Sequence, residues 1–110
     1  MLNRTKEKRL KICNDLNEKM LKQLYDLSIS LDYPQSRMVE DGIKYVLKKK
    51  LVPTERNAIR RDITLTINHK LWLEFQNYAD SKRIKLVYLL EAGIKYAIKK
   101  YKRKLKIGNL

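Results

Sequence analysis

The chain has 110 residues, room for one small domain or for two very small units that share a core. Its 26 lysines and arginines against 12 acidic residues leave a net charge of +14, while a hydrophobic content of 44% is too high for a disordered basic tail. One cysteine, Cys13, excludes an internal disulfide, and with His69 the only histidine a Cys/His metal cluster is excluded as well.

In chain order, the first expected element is a strand over 9–16, where Ile12 and Leu16 alternate with polar residues and Asn14 falls on the inward side. Asn17 is a candidate N-cap for a helix carrying Met20, Leu21, Leu24, Leu27 and Leu31. Pro34 opens a second helix with Met38, Val39, Gly42, Ile43 and Val46 on one side. Residues 51–59, with Pro53, form a linker. The clearest strand follows over 61–67, where β-branched and apolar residues alternate through Ile63, Thr64, Leu65, Thr66 and Ile67. Asn68 then caps a helix bearing Leu71, Trp72, Phe75, Tyr78 and Ala79. From about Leu86 a last helix presents Leu89, Leu90, Gly93, Ile94 and Ala97 and runs into the basic C-terminal tail, 102–110.

The second half repeats the first. Glu40-Asp41-Gly42-Ile43-Lys44-Tyr45-Val46-Leu47-Lys48-Lys49 returns as Glu91-Ala92-Gly93-Ile94-Lys95-Tyr96-Ala97-Ile98-Lys99-Lys100, with seven of ten positions identical at an offset of 51. Without a gap, the same offset matches Arg9 with Arg60, Ile12 with Ile63, Asn17 with Asn68 and Leu24 with Phe75. Two similar lysine-rich helices could arise by chance, but not an ungapped register over some forty residues. The units are therefore 1–50 and 60–101. Gly42 and Gly93 lie mid-helix at matching positions, where glycine costs about 1 kcal/mol relative to alanine. Their recurrence points to helices that cross too closely to admit a side chain.

Strand, helix, helix in each repeat resembles the ribbon-helix-helix family of DNA-binding regulators. Ile63-Thr64-Leu65-Thr66-Ile67-Asn68 is similar to that family's strand and helix cap, and Leu89-Leu90 followed by Gly93-Ile94 is similar to its second helix. Members are normally homodimers. Two repeats in one chain therefore imply a mainly α fold with a two-stranded antiparallel β ribbon, an intramolecular pseudo-dimer like the tandem regulators encoded by viruses of archaea. Physics points the same way, because a unit of about forty residues has little interior and one strand alone leaves its backbone groups unpaired.

Residues two apart on a strand share a face. If Ile63, Leu65 and Ile67 point inward, then Arg60, Asp62, Thr64 and Thr66 point outward, matched in the first repeat by Arg9, Lys11, Cys13 and Asp15. A two-stranded ribbon fits the DNA major groove, and the resemblance assigns base contact to these outward positions. It also implies phosphate contacts at the start of the second helix, where Pro34 and Lys85 replace the usual small polar cap and leave Ser36, Arg37 and Lys85 as the candidates. Lys99, Lys100 and Lys102 add charge in the segment Lys95–Lys106, which carries seven basic residues and no acid.

The expected protein is a sequence-specific double-stranded DNA-binding transcription regulator, a repressor in the first instance. It acts in the cytoplasm, that of a host if the chain is viral, with room for further self-association on DNA. A non-specific coating or architectural protein and an antitoxin-like interaction module are the alternatives. No apolar run approaches the roughly 18 residues of a membrane span, and no signal segment is visible. No constellation of acid, base and nucleophile marks an enzyme, so no catalytic residue, metal, cofactor or small-molecule substrate is expected.

Overall fold

The computed structural model describes residues 8–108. Residues 1–7 of the first expected unit and 109–110 of the expected tail lie outside the described residues. The element order is β1 (Arg9–Asn17), α1 (Glu18–Leu31), α2 (Gln35–Lys49), β2 (Arg60–Asn68), α3 (His69–Lys82) and α4 (Leu86–Gly108). The fold is mainly helical, with one two-stranded antiparallel ribbon. Its register pairs Arg9 with Asn68, Cys13 with Thr64 and Asn17 with Arg60.

Each strand runs directly into a helix. Asn17 and Asn68 end the strands and cap α1 and α3, their Oδ1 atoms accepting from the Met20 and Leu71 amides at 3.1 and 3.0 Å. Just past the caps, the Glu18 amide donates to the Ile59 carbonyl and the His69 amide to the Lys8 carbonyl, both at 2.9 Å. These two bonds are again 51 residues apart in both partners.

α1, α2 and α3 end alike without glycine. Asp32, Lys50 and Arg83 take left-handed backbone angles (φ 50°, 52° and 55°), and the next amide closes back on a carbonyl five residues earlier. α2 stops at Lys50 because Pro53 forbids helical continuation nearby. No such breaker follows Lys100, so α4 runs on through Lys102 to Gly108. The last helix thus runs into the basic tail, as expected, and crosses 101–102 without a break. Tyr101 is buried and Leu105 packs partly against the core, which explains why this stretch stays helical.

The core lies between the inner face of the ribbon and the four helices. Leu16 and Ile67 from the strands meet Leu24, Phe75, Met38 and Leu89 from the helices, all six wholly inaccessible to solvent. Ile63 is only half buried and stands across the ribbon from the polar Asn14. α2 and α4 cross at Gly42 and Gly93, whose backbones touch with nothing between them. Just beyond the crossing, the rings of Tyr45 and Tyr96 stack at 3.7 Å and 7°.

Candidate nucleic-acid interface

The pleat sends alternate ribbon residues away from the helices. Lys11, Cys13 and Asp15 on β1 and Asp62, Thr64 and Thr66 on β2 are all exposed. The register opposes them in three pairs: Lys11 with Thr66, Cys13 with Thr64, and Asp15 with Asp62. At the centre, the Cys13 Sγ and Thr64 Oγ1 lie 3.3 Å apart. At one end, a hydrogen bond with Asp62, followed by repulsion from its charge and a little burial, raises the Asp15 carboxyl above the usual carboxylate range. The ribbon thus presents donors, acceptors and charges of both signs on one surface.

Arg9 and Arg60, expected among the base-reading residues, are held at the ribbon's ends by glutamates of α2 and α4. The Arg9 Nη2 donates to Glu40 Oε2 at 2.9 Å and to the Thr66 carbonyl at 2.6 Å. Arg60 holds Glu91 with two bonds, Nε to Oε2 at 2.9 Å and Nη2 to Oε1 at 3.0 Å. Both glutamates are buried, and each also accepts a strand-end amide: Asn68 to Glu40 at 2.6 Å and Asn17 to Glu91 at 2.7 Å. A buried carboxylate needs a counter-charge and donors, and here the two arginines and the two amides supply them. The guanidinium groups therefore tie the ribbon's ends to α2 and α4. Glu40 and Glu91 are the residues the sequence reading missed. The signal was there, since Arg9/Arg60 and Glu40/Glu91 recur at one offset and the glutamates sit beside the apolar stripe of their helices.

The expected phosphate contacts divide. Ser36, in the first turn of α2, accepts from the Thr66 amide at 3.1 Å, so it braces the edge of β2 while its hydroxyl proton stays available. Arg37 is exposed but its Nη1 donates to Glu40 at 3.2 Å. Lys85, Lys99 and Lys102 are exposed. Lys100 is engaged instead, its Nζ lying 2.9 Å from Asp41 Oδ2, and the Tyr101 hydroxyl donates to the same oxygen. Burial works to raise the Asp41 carboxyl, but bonds from Tyr101 and Lys100 outweigh it and hold the group below its ordinary value. Burial, helped by the Asp41 contact, keeps the Tyr101 phenol protonated well beyond its usual range. Tyr101 also stacks on Tyr33 at 5.5 Å, which fixes the last turns of α4 beside the α1–α2 turn.

Among the described residues, no helix is long and apolar enough to cross a membrane, and no group of three or more His, Cys, Asp or Glu is placed to hold a metal ion. No family model, curated protein or solved structure matches this chain.

Proposed function

We propose that the chain is an intramolecular pseudo-dimer of two ribbon-helix-helix repeats that binds double-stranded DNA by inserting its ribbon into the major groove. Support for the tandem reading comes from contacts that occur twice at an offset of 51: Arg60 with Glu91 as Arg9 with Glu40, and the Asn17 and Asn68 caps. The observation that carries the DNA reading is the ribbon's outer face, where three directly opposed pairs of exposed side chains stand on a two-stranded frame. A major groove about 12 Å wide admits such a ribbon, and each base pair shows it a distinct pattern of donors and acceptors. Lys11, Cys13, Asp62, Thr64 and Thr66 are then the base-reading set. Lys85, Lys99, Lys102 and Arg37 belong to the charge that draws phosphate and releases counterions.

A regulator of transcription is the role this mode of binding serves, with repression following in its simplest form from occupancy of a promoter. Selection of bound duplexes from a random pool at fixed salt tests the reading. Enrichment of a defined site supports it. Binding without enrichment would favour a non-specific coating protein, for which the charge of +14 alone suffices.

A further inference from the structure

The offset of 51 relates the two strands by a local two-fold axis through one pair only, Cys13 and Thr64, whose numbers differ by that amount. About that axis, Lys11 is equivalent to Asp62 and Thr66 to Asp15. A symmetric reader would carry the same side chains at both ends of its outer face. This one carries Lys11 opposite Thr66 at one end and Asp15 opposite Asp62 at the other, all four exposed. The supports below differ in the same sense. Ser36 binds the Thr66 amide at 3.1 Å, whereas its counterpart at the other end is Val87, which has no hydroxyl to offer the Asp15 amide.

We infer that the ribbon reads a polar DNA site in a single orientation, with Lys11 and Thr66 over a guanine and the Asp15–Asp62 pair over amino groups of cytosine or adenine. This rests on the DNA-binding reading above and adds its direction. Lysine is a donor only and suits guanine O6 and N7, while the threonine hydroxyl can complete the contact. Ionised carboxylates are acceptors only and suit the cytosine N4 or adenine N6 amino groups; they would meet guanine O6 as like partial charges. Arg60 and Arg9, which flank the two ends, are held by Glu91 and Glu40 and so leave the difference between the ends uncompensated.

The test makes the two ends of the face alike. In the double variant Asp15→Thr with Asp62→Lys, both ends carry the side chains now found at Lys11 and Thr66. Both replaced residues are exposed and carry like charges, so circular dichroism like that of the wild type and a thermal midpoint at or above it are expected to report an intact fold. Selection from a random duplex pool is then run on both proteins. The inference expects a non-palindromic site for the wild type and a palindrome built from two copies of the Lys11 half-site for the variant. It also expects preference between the two sites to reverse by about tenfold or more. A palindromic wild-type site, or a variant that keeps the wild-type site, overturns the inference while leaving DNA reading by the ribbon in place. If the wild-type protein enriches no site at all, the sequence-specific reading itself falls, and this inference falls with it.

Discussion

Gly42 and Gly93 face each other backbone to backbone where α2 crosses α4. A β-carbon added to Gly93 would lie 2.9 Å from the Gly42 carbonyl carbon, and one added to Gly42 would collide with the Gly93 carbonyl group. Alanine would gain about 1 kcal/mol of helix propensity at either site. Against that, backbone atoms cannot move aside by changing rotamer, so the two helices must part and the packing around Met38, Leu89 and Ile94 must open. Gly42→Ala and Gly93→Ala are each expected to destabilise the protein by about 1–3 kcal/mol, with Gly42→Ala the worse. Urea midpoints at or above the wild-type value in both variants would contradict the close crossing.

Removing Glu40 leaves three donors short of their acceptor: the Arg9 and Arg37 guanidinium groups and the Asn68 amide. Glu40→Ala is therefore expected to cost about 3 kcal/mol in a denaturant titration. In a double-mutant cycle, Arg9→Met on the Glu40→Ala background should cost much less than Arg9→Met alone. Additive effects would mean that the two side chains do not act together.

The Asp41 carboxyl titrates below its ordinary value of 3.8 in the folded chain. A lowered folded value means that its contribution is complete above the unfolded value and is lost as pH falls through the folded one. The stability gap between wild type and Asp41→Asn should hold from neutrality down to the unfolded value and close as pH falls through the lower folded one. A gap that does not change with pH would remove the charge from the interaction with Lys100 and Tyr101.

Asp15 has the opposite sign. Its folded value lies above 3.8, so folding favours the protonated form, and stability falls as pH rises through that folded value. Asp15→Asn relieves two like charges set directly across the ribbon. Its thermal midpoint should exceed the wild-type midpoint at neutral pH, and the excess should shrink in acid. An excess equally large in acid would have to come from something other than charge.

Thr64 and Thr66 separate base reading from phosphate attraction. Thr64→Ala with Thr66→Ala is expected to lower the preference for the selected site by about 1–3 kcal/mol while leaving binding to random DNA nearly unchanged. Neutralising Lys99 and Lys102 should weaken binding to every sequence, with the salt slope flattened by about one for each phosphate no longer neutralised. An unchanged ratio of specific to random affinity in the threonine variant would rule out the strands as the reading element.

Periodicity and repetition were enough to read the helices and strands, both asparagine caps and the meeting of Gly42 with Gly93. Each of these depends on local backbone preference or on a pattern that the chain states twice. The outward parity of Lys11, Cys13, Thr64 and Thr66 was legible for the same reason, since a strand alternates faces whatever its surroundings. What the arginines, the serine and the tail do was decided only by tertiary structure. Arg9 and Arg60 share the outward parity, yet buried carboxylates on α2 and α4 draw them to the ribbon's ends, because an unpaired buried charge costs more than an exposed arginine gains from water. Lys100 and Tyr101, at the end of the second unit, read as part of a solvated basic stretch until Asp41 and Tyr33, some sixty to seventy residues away in sequence, supply a partner and a surface. The register was equally beyond local reading. That Lys11 faces Thr66 while Asp15 faces Asp62 depends on how two distant strands align, and that alignment is set by the shared core beneath them.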